Sequence, residues 1–251
     1  MESLVELLSQ DTVFAFLLLF VRIATFMVFM PIFGHASVSV TIRGAIAFYM
    51  TLFLFPLVDV QTVDHLNDST FLVALVSEIT LGFVAAMLVN IIFSAVQIVG
   101  DLIGFATALS MANMFDPATG TQQGIISRFL YMVILVVYFQ TGMYEVTLLM
   151  LGESIGMIHL GQFSIFDYNL IKLTIDEINK MFIFAFSFAL PLFFIGFILD
   201  VYYGYGTKSM PAFSPFVVTF QIKFTLIFVF LMLGFDIFIT SFTNYFIGKF
   251  S

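Results

Sequence analysis

Five ionisable residues interrupt otherwise apolar runs of this chain: Arg22, Glu78, Asp101, Lys223 and Asp236. A charge at the centre of a bilayer costs about 2.5 to 3.5 kcal/mol, so each should face water or a partner. Two kinds of chemistry use such residues: ion pairs or polar contacts between packed helices, and relays that carry protons or ions. Ion pairs or polar contacts are favoured, because a relay usually brings several carboxylates and histidines to neighbouring helix faces, and the sequence shows no such cluster.

Other reactive chemistry is sparse. The three histidines, His35, His65 and His159, are far apart in the chain and lack the HExxH or i,i+4 spacing typical of metal ligands. The sequence contains no phosphate-binding loop and no nucleophile elbow. It also contains no cysteine, which excludes disulfides and thiolate metal sites. The sequence therefore predicts no enzymatic activity, no metal and no cofactor.

Composition indicates the class of protein. Hydrophobic residues make up 61% of the 251 residues and charged residues 10%, whereas a typical soluble domain is about 25% charged. Such a chain cannot hide its apolar surface in one aqueous core, so we predict an all-α integral membrane protein with one domain over residues 1–251. No block of Lys or Arg could hold nucleic acid, and the formal net charge is -8.

About six hydrophobic helices are predicted to cross the membrane. Their apolar runs cover residues 12–33, 45–58, 71–99, 129–151, 181–199 and 217–247. Pro56 should bend or end the second helix, and Pro191 is a candidate for a kink. Residues 152–180 are the most polar stretch and are expected to form an exposed loop. The positive charges of alternating loops balance, so the positive-inside rule does not fix the orientation.

Residues 99–124 are neither a clean span nor a polar loop. Their apolar core is too short to cross about 30 Å of hydrocarbon. Met111, Met114 and Phe115 form a deformable tip before Asp116 and Pro117 break the run. Close approach of other backbones is allowed by the small residues Gly100, Gly104, Ala106, Ala108, Ser110 and Ala112. Since irregular backbone at membrane depth needs protein or water around it, we interpret this stretch as re-entrant or pore-lining.

A series of motifs runs in order through almost the whole chain. It comprises Phe20-Val21-Arg22, Pro31-Ile32-Phe33-Gly34, Arg43, Glu78, Gly82, Gly100, Gly104, Phe115-Asp116-Pro117, Asp200, Gly204, Lys208, Pro211, Phe216 and Lys223. Their order, their spacing and the length of the chain resemble the flagellar biosynthetic protein FliR family and its counterparts in virulence type III secretion.

The resemblance implies an all-helical subunit that looks like a fusion of FliP-like and FliQ-like helical elements. Its partners would be FliP-like and FliQ-like subunits, with FlhB-like and FlhA-like export components, in the inner membrane at the flagellar basal body. The assembled gate would be displaced toward the periplasm, and unfolded proteins would pass through its middle. The family's plug loop matches residues 104–123, which makes the expected plug and gating residues Gly104, Phe105, Met111, Met114, Phe115, Asp116 and Pro117.

Two functions remain open from the sequence. The favoured one is a subunit of the flagellar type III export gate that helps form and seal the channel for unfolded proteins. The alternative is a small secondary transporter or ion channel in which Glu78 and Asp101 couple ions. The charges of Arg22 and Glu78 could neutralise each other within or between subunits. A structural pair of this kind would support assembly, whereas a relay would leave assembly intact.

Overall fold

The computed structural model describes residues 9–33, 38–63, 67–107, 124–164, 170–209 and 215–250. Within these residues it contains α-helices and short 3-10 turns but no strand. The α-helices are α1 (Gln10–Phe29), α2 (Val40–Leu54), α3 (Asp68–Ala106), α4 (Ile125–Gln140), α5 (Met143–Met157), α6 (Leu170–Ser209) and α7 (Pro215–Phe250). The 3-10 turns Phe55–Leu57 and Val60–Val63 follow α2, so the prediction that Pro56 marks the end of this helix is confirmed.

The described helices are long and apolar enough for a membrane protein. Five of them, α1, α2, α3, α6 and α7, could each cross a bilayer by length and composition. The pair α4 and α5 makes a sixth span if it is counted as one. The all-α membrane class and the number of about six helices are therefore confirmed.

Helices α3 and α6 extend well beyond their predicted runs. Helix α3 continues to Ala106, so the first part of the predicted re-entrant stretch is regular helix. Helix α6 begins at Leu170, inside the predicted exposed loop. The reason is visible in Lys172, Asp176 and Lys180, which are exposed and follow one another at i,i+4 spacing on the helix surface. Their polarity indicates a solvated helix face rather than a loop.

The fourth predicted span is interrupted. Helices α4 and α5 are bent by 69° at a short break, which divides the predicted run 129–151 into two helices. Thr141 Oγ1 donates to Val137 O at 2.7 Å and closes the end of α4. Gly142 follows with φ 75, a left-handed conformation that glycine adopts without strain. The polar residue Gln140 marked the break in the sequence.

The chain divides into two compact units. The first unit is Met1–Ile91 with Tyr144–Glu177, and the second is Ile92–Met143 with Ile178–Ser251. The chain passes between them inside α3, inside α6 and directly before Tyr144. The single-domain organisation stays a prediction.

Aromatic side chains pack against one another in each unit. In the first, Phe14 stacks on Phe71 with ring centroids 4.2 Å apart. In the second, Phe93 contacts Tyr138 and Phe242 with centroids 5.7 Å and 5.9 Å away. Edge-on and stacked contacts of this kind add stabilisation beyond the area that they bury. These aromatic contacts join the helices that carry the polar residues described below.

Candidate functional site

Arg22 and Glu78 form a buried ion pair in the first unit. Helix α1 supplies Arg22 and α3 supplies Glu78, and their side chains are 1% and 0% exposed. Arg22 Nε donates to Glu78 Oε2 at 2.5 Å, and Nη2 donates to Oε1 at 3.0 Å. Two parallel bonds between a guanidinium and a carboxylate are among the strongest polar contacts in proteins. The hypothesis that these two charges neutralise each other is confirmed, and the pairing lies within one chain.

The ion pair also holds the end of α5. Arg22 Nη1 donates to Ser154 O at 3.2 Å and Nη2 to Ile158 O at 3.0 Å. The last carbonyls of a helix lack partners inside the helix and carry partial negative charge, so a cation is favourable there. Glu78 Oε1 in turn accepts the Gly161 N–H at 2.7 Å. One carboxylate and one guanidinium therefore join α1, α3, α5 and the turn after α5.

A close helix contact accompanies this network. A Cβ built on Gly82 would lie 2.5 Å from Arg22 O, so the backbones of α1 and α3 meet beside the ion pair. Ser77, next to Glu78, donates from Oγ to Phe163 O at 2.6 Å. Sequence reasoning identified the two charges but missed their backbone partners, because carbonyl and amide groups leave no signal in residue types.

The network leaves Glu78 poorly suited to carry ions. Both of its oxygens accept hydrogen bonds from Arg22, Gly161 bonds Oε1 as well, and the side chain is fully buried. An ion-coupling carboxylate must gain and release a proton or cation, whereas this one is saturated by fixed donors. Within the described residues no group of three or more His, Asp or Glu side chains could hold a metal ion. These observations favour the structural interpretation of the charges.

Asp101 lies where α3 and α4 cross in the second unit. Ser127 Oγ donates a hydrogen bond to Asp101 Oδ1, and Asp101 itself is exposed. A Cβ on the neighbouring Gly100 would lie 2.2 Å from Ser127 Cα and 2.6 Å from Ser127 N. The two helices are thus in direct backbone contact, as expected for a small residue at a helix interface. Ser127 was missed because a lone serine in an apolar run has no distinguishing spacing.

Lys223 is paired with Asp200 in the same unit. Lys223 Nζ donates to Asp200 Oδ2 at 2.6 Å. The lysine side chain is 7% exposed and the aspartate 54% exposed, so the cation is the buried partner. A Cβ on Gly196 would lie 2.9 Å from Ala106 O and 3.1 Å from Lys223 Cε. The end of α3 therefore meets α6 and α7 at this ion pair.

Two of the seven predicted plug residues lie in the part of the chain that the structure describes. Gly104 and Phe105 belong to the last turn of α3, where Phe105 is 63% exposed. A Cβ on Gly104 would meet no described atom within 4 Å, so close packing does not require glycine there. The other predicted plug residues, Met111, Met114, Phe115, Asp116 and Pro117, lie outside the described residues.

The described residues on both sides of 108–123 make contacts in the second unit. On the side of α3, Thr107 is buried and its Oγ1 donates to Ile103 O at 3.0 Å. On the side of α4, Ser127 touches Gly100 and Asp101. The two helices therefore form a hairpin whose ends are anchored in the second unit. We call this element, residues 92–107 and 124–140, the anchored hairpin.

These features define an α-helical membrane protein whose helices are joined by buried ion pairs and close glycine contacts. The model of the family "Bacterial export proteins, family 1" matches residues 13–248. The flagellar biosynthetic protein FliR of Bacillus subtilis is 30% identical over 234 residues, which cover 92% of this chain and 88% of that protein. FliR of Aquifex aeolicus is 25% identical over 238 residues, 95% of this chain and 92% of that protein.

A relative from a secretion system is similar as well. The secretion system apparatus protein SsaT of Salmonella typhimurium is 21% identical over 219 residues, covering 86% of this chain and 85% of that protein. The chain belongs to the family of bacterial export proteins to which the FliR proteins belong. It is a membrane-embedded subunit of a flagellar type III export gate. The resemblance recognised in the sequence is thus confirmed.

Proposed function

We propose that this subunit helps to form and seal the channel through which unfolded flagellar proteins cross the inner membrane, without catalysing a bond change. The observation that carries the proposal is the anchored hairpin. Its two helices touch at Gly100 and Ser127, so the described residues on the two sides of 108–123 belong to one packed pair of helices. A segment held at both ends can close a pore by packing and can yield to a passing chain while its supports stay in place.

The partners would be FliP-like and FliQ-like subunits, with FlhB-like and FlhA-like export components, in the flagellar basal body. Support comes from the sequence resemblance and from the large apolar side chains that the chain leaves exposed. In α2, for example, Tyr49 is 70% and Phe53 78% exposed. Such surfaces need either lipid or other subunits to cover them. Displacement of the assembled gate toward the periplasm belongs to the same proposal.

The proposal is tested by altering the tip of residues 104–123. Replacing Met111, Met114 and Phe115 together with Ser, or deleting residues 108–118, should leave the yield of assembled gate close to that of the unaltered protein. Ions should leak through the resting gate and growth should slow, because a plug that seals by apolar packing loses its seal. The measurement is membrane conductance beside particle yield.

A matched control replaces two exposed methionines and one exposed phenylalanine outside the segment, Met132, Met157 and Phe197, with Ser. It should not raise conductance. If the segment were instead an ordinary packed hairpin, each large residue removed would leave a void costing about 2 to 5 kcal/mol, and the complex would fail to form. The plug interpretation would therefore be contradicted by either of two results for the altered segment: the assembled gate fails to form and conductance does not rise, or the gate forms normally and no ions leak.

A further inference from the structure

Asp236 lies in the middle of an exposed stripe on α7. The stripe consists of side chains three or four positions apart, which share one face of a helix. Its members are Val229, Met232, Leu233, Asp236, Ile237 and Thr240, all of them exposed. We call this set the α7 stripe. The opposite face of the helix, with Ile227, Leu231 and Phe238, is buried.

The position of Asp236 along α7 places it at membrane depth. It belongs to the apolar span Phe220–Gly248. Asp236 is 16 residues after Phe220 and 12 residues before Gly248, which at about 1.5 Å per residue puts the two ends of the span about 24 Å and 18 Å away along the axis. Since the hydrocarbon core is about 30 Å thick, Asp236 lies near its middle where this span crosses the bilayer. A carboxylate on the helix surface is strongly unfavourable there unless water or a partner meets it.

In the part of the chain that the structure describes, no cation pairs with Asp236. Among the described residues Asp236 makes no hydrogen bond or ion pair, whereas Glu78 and Asp200 are paired with Arg22 and Lys223. The segments outside the described residues contain neither lysine nor arginine. Lys249 stands at the far end of α7 itself. The placement of the lysines and arginines of this chain therefore favours a cationic partner from another chain.

A second copy of this chain does not offer a suitable cation for Asp236 either. Only two cations stand inside its apolar runs, and both are already buried in ion pairs within their own chain. The remaining lysines and arginines stand in the first or last turns of helices or in the polar start of α6: Arg43, Arg128, Lys172, Lys180, Lys208 and Lys249. The cation that pairs with Asp236 is thus expected on a different protein.

We propose that the α7 stripe is the docking face for an apolar helix of another gate subunit, and that this helix carries a lysine or arginine that pairs with Asp236. The apolar members of the stripe supply packing, and the charge pair fixes the depth and register of the partner. The inference rests on the proposed function, because it needs the other subunits of the gate.

The first test uses the gate co-expressed with all its subunits. Asp236→Asn should lower the amount of co-purified complex by about tenfold, because the partner's cation is left buried without its counter-charge. Asp236→Leu should lower it at least as much. The matched control Asp176→Asn, at an exposed carboxylate in the polar start of α6, should leave the yield unchanged. If the Leu variant assembles as well as or better than the unaltered chain, Asp236 faces lipid and the inference is overturned.

The second test uses the lack of cysteine in the chain. A single Ile237→Cys substitution should be protected from a water-soluble maleimide in the assembled gate. A photo-crosslinker at Leu233 should form an adduct with a helix of another subunit that contains Lys or Arg. When that partner Lys or Arg is replaced with Asp, the Asp236→Lys variant should assemble again, because the charge pair is restored with its signs exchanged. Labelling by the maleimide, or adducts with lipid alone, would overturn the inference.

The two tests separate this inference from the proposed function. If the unaltered chain co-purifies with export subunits and the Asp236 variants do so equally, only the docking of the α7 stripe is wrong. If the unaltered chain co-purifies with no other export subunit, the proposed function itself fails.

Discussion

Glu78→Gln is expected to reduce the assembled gate by more than tenfold. The substitution leaves the Arg22 guanidinium buried at 1% exposure without its counter-charge. Breaking a buried ion pair by removing one partner destabilises by about 3 to 5 kcal/mol. The loss should reach beyond the pair, because Glu78 also accepts the Gly161 N–H and Arg22 holds the end of α5. The measurement is the amount of chain recovered in the complex after gentle solubilisation.

A double variant, Arg22→Met with Glu78→Leu, provides the control. It removes both charges, and apolar replacement of a whole ion pair is often neutral or stabilising. It should therefore recover part of the lost assembly, although Ile158 O loses its Arg22 donor and Ser154 O keeps only the Ile158 N–H. Normal assembly of Glu78→Gln with abolished export would contradict the structural role and would support ion coupling.

Gly100→Val is expected to have a comparable effect through sterics alone. A Cβ at this position would lie 2.2 Å from Ser127 Cα and 2.6 Å from Ser127 N. These are backbone atoms, so the clash can be relieved only by separating α3 from α4. Overpacking of a tight contact costs about 1 to 3 kcal/mol and occasionally more, and the backbone clash places this variant at the upper end. The thermal midpoint of the purified complex should fall, or the complex should not form.

Gly44→Ala is the matched control for this prediction. Gly44 lies inside α2, and a Cβ there would meet nothing within 4 Å. Because alanine is a better helix former than glycine by about 0.5 to 1 kcal/mol, the midpoint should stay the same or rise. A Gly100→Val gate that melts like the unaltered one would show that the helices do not touch at this crossing.

Hydropathy and charge placement predicted much of the fold. The apolar runs locate the spans because lipid tolerates few charges, and the rare charges inside them, such as Arg22 and Glu78, must find partners. The sequence predicted the ends of the helices less well. Helix α3 runs through Gly100 and Gly104 to Ala106, because glycine weakens a helix without ending it when neighbouring helices pack against it.

Other features depend on tertiary contacts that residue types do not encode. The break between α4 and α5 rests on the left-handed backbone of Gly142. The partner of Lys223 is Asp200, whose place beside the buried lysine follows from how α6 and α7 pack. Backbone groups such as Ser154 O and Gly161 N complete the Arg22 network. Only the folded chain shows which carbonyls and amides come within reach of a buried charge.

The most direct test of the central claim is the mass of the particle that contains this chain. Native mass spectrometry after gentle solubilisation should find the 28.2 kDa chain in a much larger hetero-oligomer with FliP-like and FliQ-like subunits. Expressed alone, the chain should be degraded or aggregate, because exposed polar and apolar groups such as Asp236 and Phe53 lack their partners. A monodisperse, thermally robust monomer obtained without any partner would contradict the account.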